Sequence, residues 1–218
     1  MEHVNKECNK FFDMIIKNRR SIRTFKDEMP PRDQIENIIE AGLFAPYAAQ
    51  AVGDEEYFRK FIIIAKNSSR MNEIAEIAKN KVKIMSIGLK KEMDKNPYLK
   101  EKGYSFLKRL ELFANKGVLG IGTAPYYIIV AEKKGFPPVE QQSIAHCLEN
   151  MWLKATELNL GLHLVSATAQ MGDDENFCKI LGIKTGEYEI NGCAIGYPKE
   201  TPQKASRPEI KDVTTWIE

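Results

Sequence analysis

Apolar positions along the chain switch between two periods, and the switches outline its elements. Phe11, Phe12, Met14, Ile15 and Ile16 mark a short segment that reads as a helix over residues 8–17. Ile35, Ile38, Ile39, Gly42 and Leu43 recur at i, i+3, i+4, i+7 and i+8, the stripe of an amphipathic helix over 34–44. Pro30-Pro31 precedes it and Pro46 lies beyond its end. The segment 57–65 holds Phe61-Ile62-Ile63-Ile64, a β-branched run that suits a buried strand. Residues 69–95 carry Lys, Glu, Met and Ile without proline and predict a long helix, interrupted at Lys95-Asn96-Pro97. A further helix is expected over 104–115, with Phe106, Leu107, Leu110 and Phe113. Residues 126–131 predict a second buried strand. Over 139–159, Ile144, Leu148, Met151, Trp152, Ala155 and Leu158 share one helical stripe, and Asn159-Leu160-Gly161 supplies a C-terminal glycine. A short strand at 162–165, a helix at 173–181 capped by Asp173, and a fourth strand at 187–197 follow. The tail, 201–218, begins polar and ends apolar in Val213, Trp216 and Ile217.

Helices outnumber strands and a long helix lies between strands, which predicts an α+β or three-layer α/β/α domain. No repeat, low-complexity tract or linker divides the chain, so residues 1–218 read as one domain. Its 218 residues are enough to bury a sizeable single core. A net charge of +2 argues against nucleic acid as the main partner, because binding a phosphate backbone needs a concentrated basic face. No apolar run approaches the ~20 residues of a membrane span. The first residues lack the apolar core of a secretory signal, so a cytoplasmic protein is expected. Cys8, Cys147, Cys178 and Cys193 show no metal-motif spacing, and His3, His146 and His163 are scattered, so no metal is expected. Cys147 and Cys193 sit among apolar residues as buried thiols.

The candidate chemistry lies in Arg19-Arg20-Ser21-Ile22-Arg23-Thr24-Phe25. Three guanidiniums and a hydroxyl fall within five residues, and a guanidinium is a rigid fork of donors suited to phosphate and planar acceptors. If the stretch is extended, Arg19, Ser21 and Arg23 point one way and Arg20 and Ile22 the other, giving one polar, phosphate-sized face. A solvated basic turn would have the same composition.

The order of segments narrows this choice. An apolar helix, Arg-Arg-Ser-x-Arg-x-Phe, Pro-Pro, then a helix ending Glu-Ala-Gly-Leu-Phe-Ala-Pro resembles the N-terminal signature of the nitroreductase family of flavin (FMN) enzymes. Ala124-Pro125-Tyr126-Tyr127-Ile128-Ile129-Val130 is similar to that family's central strand. Gly192-Cys193-Ala194-Ile195-Gly196-Tyr197-Pro198, with Lys204 and Arg207-Pro208, is similar to its last core strand and basic tail. The resemblance implies a mostly antiparallel central sheet flanked by helices in an intertwined homodimer, with two FMN sites at the subunit interface. It further implies that Arg19, Arg20, Ser21 and Arg23 contact phosphate, ribityl and ring, and that Arg207 reaches the phosphate from the tail, joined by Lys204 unless that residue is a solvated loop lysine, the reading its own surroundings favour. Pro46, Tyr47 and Gln50 would line the ring edge and substrate side. A backbone N–H near Ser166-Ala167 would face the flavin N5. Trp216 would pack on the partner subunit, whereas the residues alone suggest that it covers its own core.

The segment Tyr47-Ala48-Ala49-Gln50-Ala51-Val52-Gly53 departs from the commoner family pattern, lacking its serine, asparagine and Pro-Trp. No Ser/His/Asp arrangement is apparent, and the glycines at 117, 120 and 122 do not have dinucleotide-fingerprint spacing. A flavin reductase needs neither, because the cofactor carries the hydride. The expectation is an FMN-dependent oxidoreductase, with NAD(P)H as co-substrate and a nitro compound or quinone as acceptor, turning over by a ping-pong mechanism. Two alternatives stay open: a dehydrogenase or dehalogenase on the same fold, and a flavin carrier or sensor with little turnover.

Overall fold

The computed structural model describes residues 6–47 and 57–217. Four strands, β1 (Arg59–Ala65), β2 (Tyr126–Lys133), β3 (Gly161–Leu164) and β4 (Tyr188–Gly196), form one sheet in the order β1-β2-β4-β3, each pair antiparallel. The pleat of β2 sends Tyr127, Ile129 and Ala131 to one face and Ile128 and Val130 to the other. Both faces are covered, which explains why this central strand is almost wholly apolar. Against Ile128 and Val130 pack α2 (Arg32–Leu43) and α5 (Glu140–Glu157), through Ile35, Ile38, Ile144, Leu148 and Met151. Against Tyr127 and Ile129 pack α3 (Ser69–Lys95) and α6 (Glu175–Leu181), with Leu110 of α4 (Pro97–Lys116) joining the same core. This is the three-layer α/β/α arrangement expected.

The boundaries differ from expectation where a cap decides them. Asn96-Pro97 is a helix start and not a gap: the Leu99 N–H donates to Asn96 Oδ1 at 3.1 Å and Pro97 occupies the first turn. α4 therefore begins well ahead of residue 104. α6 is capped by Asp174, not Asp173, with the Phe177 N–H donating to its Oδ1 at 2.9 Å. At the end of α5, Asn159 takes the left-handed conformation (φ 58°) and Gly161 opens β3. Glycine serves Gly161 in another way, since a Cβ there would lie 2.6 Å from Cβ of Ile22.

That close approach seats the arginine-rich stretch. Ile22 N–H donates to Leu162 O (3.1 Å), Lys26 N–H to Tyr197 O (2.9 Å) and Lys199 N–H to Thr24 O (3.1 Å). Residues 21–26 thus lie along β3 and the segment leaving β4. In contrast, α1 (Lys6–Asn18) buries no residue in this chain, and Phe11, Phe12, Met14 and Ile16 are exposed. After α7 (Ile210–Val213), Trp216 is 85% exposed and Ile217 96%. Trp216 does not cover its own core. Cys147, Cys178 and Cys193 are buried. Among the described residues no helix is long and apolar enough to cross a membrane, and no group of His, Cys, Asp or Glu could hold a metal ion.

Candidate functional site

A cavity of about 790 Å³ opens beside β3, between the arginine-rich stretch and the α3–α4 hairpin. Arg23 enters from the stretch, His163 and Leu164 from β3, Val165, Ser166 and Ala167 from the turn that follows, Val82 and Met85 from α3, and Phe106, Arg109 and Phe113 from α4. Among the described lining residues none is Asp or Glu.

Three features give this cavity its chemistry. The turn is a 3-10 helix, Ser166–Gln170, fixed by buried polar contacts. Val165 N–H donates to Gly192 O at 2.8 Å; Thr168 Oγ1 donates to Val165 O at 2.7 Å and so accepts from the Tyr127 hydroxyl at 2.6 Å. Tyr127 is fully buried, and burial pushes its hydroxyl pKa up, which keeps it a donor. Ser166 and Ala167 stand in the first turn, where their N–H groups have no intrahelical acceptor, and neither donates to another backbone carbonyl among the described residues. Second, Arg23 is exposed with no carboxylate within ion-pairing distance among the described residues. Third, His163 is held neutral: burial, and then the Arg23 charge, lower its pKa to about 4.

The other expected site residues fall elsewhere. Arg19 pairs with Glu149 at 3.0 Å, with its guanidinium carbon 4.5 Å from the Trp152 ring centroid. Arg20 donates to Gln203 O (2.9 Å), Lys17 O (2.7 Å) and Arg19 O (2.7 Å), while its own carbonyl accepts from Trp152 Nε1 at 3.0 Å. Arg19 and Arg23 therefore do not form one face, because α5 supplies both an anion and an indole that capture Arg19. Ser21 is exposed and bridges to Leu162. Lys204 and Arg207 are exposed, and the contact of Arg20 with Gln203 brings the tail to the arginine stretch. Gln50 and the rest of 48–56 lie outside the described residues.

Pro46 and Tyr47 lie outside the cavity lining, at a closed polar cluster at the other end of β2. Arg59 has a fully buried side chain and donates to Glu132 Oε1 (2.6 Å), Ser143 Oγ (3.1 Å), Gly42 O (2.8 Å) and Ala45 O (3.4 Å). Ser143 Oγ donates to Pro46 O at 3.3 Å, and Tyr47 stacks on Phe58 with ring centroids 3.8 Å apart and donates to Lys133 O at 3.3 Å. Burial pushes the Glu132 carboxyl pKa up, opposed by Ser143 and Arg59. Sequence reasoning missed this cluster and the cavity roles of His163 and Arg109. Arg109 had a readable signal: Phe106, Arg109 and Phe113 stand at i, i+3 and i+7.

Comparison with known proteins agrees with this architecture. The chain resembles a nitroreductase with bound FMN from Bacteroides fragilis (21% identity, TM-score 0.66, 99% of this chain and 100% of that one). It resembles a BluB-like flavoprotein from Clostridium difficile (22% identity, TM-score 0.68, 94% and 98%). A third likeness is to iodotyrosine deiodinase bound to FMN and 3-iodo-L-tyrosine (19% identity, TM-score 0.61, 91% and 96%). Among curated proteins none matches. The nitroreductase family profile matches residues 16–197, most of the chain, so the chain belongs to the nitroreductase family.

Proposed function

We propose that this protein is an FMN-dependent oxidoreductase that uses NAD(P)H to reduce quinones, nitroarenes or related planar acceptors. The observation that carries the reading is that one cavity is lined by Arg23, which has no carboxylate partner among the described residues, and by the Ser166–Ala167 turn, whose amides donate to no backbone carbonyl among them. That donor set fits a flat ring with a polar edge, as FMN has. Arg23 would meet the ring or its side chain by charge, and the Ser166 and Ala167 N–H groups would bond the ring edge. Val82, Met85 and Phe113 would cover a ring face and exclude water. When bound, FMN supplies acceptance of a hydride and its onward delivery as electrons. Arg19, Arg20, Ser21, Lys204 and Arg207 are the cations and hydroxyl available to the phosphate.

One cavity serves both guests, so NAD(P)⁺ must leave before the acceptor enters. Initial rates at several fixed NADH concentrations should give parallel double-reciprocal lines. The exposed apolar faces of α1 and of Trp216 and Ile217 suit a homodimer. A second copy would bring Pro46, Tyr47 and Gln50 to the flavin, since a chain's own Tyr47 stands apart from its own cavity. The reading places the protein in the cytoplasm.

An absorbance spectrum of purified protein tests the reading. Flavin bands that bleach with NAD(P)H and return with a quinone support it. Flavin bands that stay unchanged with either nucleotide favour a carrier or sensor. Absence of flavin bands after incubation with excess FMN refutes it. The likeness to iodotyrosine deiodinase favours reductive dehalogenation as a second reading; halide release from a haloarene by the reduced protein would select it.

A further inference from the structure

Arg109 lies on α4 and is exposed toward the cavity. No acid stands three or four residues from it: those positions are Ser105, Phe106, Leu112 and Phe113. The nearby Glu111 is taken by Lys108 at 3.3 Å, and no ion pair to Arg109 forms among the described residues. Phe106 and Phe113 flank it on the same helical stripe and line the same cavity. Val82 and Met85 of α3, on the same lining, are apolar, and His163 there is neutral. Thus α4 shows the cavity an aromatic, a guanidinium and an aromatic along one stripe, with no carboxylate among the described lining residues.

Arg23 gives the cavity one cation, which the flavin reading already uses. A second guanidinium, on a different element and without an ion pair among the described residues, has no part in that reading. A guanidinium left without an anion among apolar side chains is arranged for an anion brought by a guest. The flanking phenyl rings suit a planar aromatic body.

We propose that Arg109 is a specificity-determining residue that anchors a carboxylate on the acceptor, so that the preferred guest is a planar aromatic acid. The proposal rests on the FMN-oxidoreductase reading and names the substrate class of that site. Arg109 binds the carboxylate, Phe106 and Phe113 receive the ring, and the reducible group is left to point toward Arg23 and the Ser166 turn.

The test is titration calorimetry of the purified protein with benzoate and with benzamide, neither of which is reduced. FMN content is read from the spectrum of each sample. The wild type should bind benzoate on the order of tenfold tighter than benzamide, the lower end for a hydrogen bond to a charged group at an exposed position. Added salt should narrow that ratio. Arg109→Gln should bring it close to one and Arg109→Lys should restore part of it. Arg23→Gln should lower FMN content yet keep the ratio above one. Equal affinity in the wild type, or a ratio that survives Arg109→Gln, overturns the proposal. So does a ratio lost in Arg23→Gln alone, or an Arg109→Gln effect confined to the KM of NADPH relative to NADH, which would assign Arg109 to the coenzyme phosphate. A protein that takes up no FMN sinks the oxidoreductase reading, while the benzoate ratio still reports on Arg109.

Discussion

Arg59 and Arg23 are the same side chain in two opposite settings. Arg59 is enclosed, with four hydrogen-bond acceptors and an ion pair to a fully buried carboxylate. Arg23 is exposed at a cavity where no acid stands among the described lining residues. A buried guanidinium must be satisfied within the fold, because leaving it unpaired costs several kcal/mol of desolvation. One at a cavity mouth is kept in readiness by water and can wait for a ligand. Partnering therefore separates the arginine that shapes the fold from the arginine available to bind. Arg19 lies between the two, a quarter exposed and held by Glu149 and Trp152.

The comparison is broken most directly at Arg59. Arg59→Ala should cost about 3–5 kcal/mol, because it strands Glu132 in the interior. Urea denaturation measures this, and the double variant Arg59→Met/Glu132→Leu should recover most of the loss. A cost below ~1 kcal/mol for the single variant would show that the cluster is not structural.

Arg23→Ala should behave in the opposite way. Its stability should stay within about 0.5 kcal/mol of wild type, as for an unpartnered surface side chain. Its FMN affinity should fall by roughly 1.5–3 kcal/mol, about ten- to a hundredfold or somewhat more. Flavin titration beside urea denaturation reads both. Unchanged affinity would remove Arg23 from the site.

Gly161→Ala sharpens the link between fold and site. The new Cβ would meet Ile22 at 2.6 Å, and overpacking of this kind costs about 1–3 kcal/mol. The thermal midpoint should fall. FMN affinity should weaken with it, because Ile22 and Arg23 are carried by the same extended segment.

A further effect concerns pH. His163 has a pKa of about 4 in the fold against an ordinary 6.5. Between those values the unfolded chain binds the proton and the folded chain does not, so stability falls as pH drops from 6.5 toward 4. Above pH 6.5 the imidazole is neutral in both states and contributes no slope. His163→Gln should flatten that part of the stability curve, and an unchanged slope would show that His163 is not the group responsible.

Much of the fold was legible because burial imposes periodicity. The stripes on α2 and α5 and the apolar runs of β1 and β2 fell where they were expected, since each element had to present a continuous apolar face to one core. Boundaries were less legible where adjacent residues compete to cap a helix. Asp173 and Asp174 both suit the N-cap, and only the backbone path selects Asp174. Asn96-Pro97 reads as a break, although asparagine before proline equally opens a helix. At the site, the arginine stretch stood out by composition, yet the partners of its arginines did not, because Glu149 and Trp152 lie more than a hundred residues away. The cluster of Arg59, Glu132 and Ser143 gave no local signal either, since Arg59 stands 73 residues from Glu132 and 84 from Ser143.

The sequence by itself determined the elements, the layer architecture and the family, because these follow from local hydrophobic period and from the order of motifs. Only the tertiary structure decided which arginines are spoken for. Charge and hydrogen bonding act through space: β3 and the segment after β4 hold Ile22 and Phe25 and so set Arg23 at the cavity that Arg109 of α4 also lines, while Arg19 is drawn onto α5 and Arg59 is sealed against Glu132.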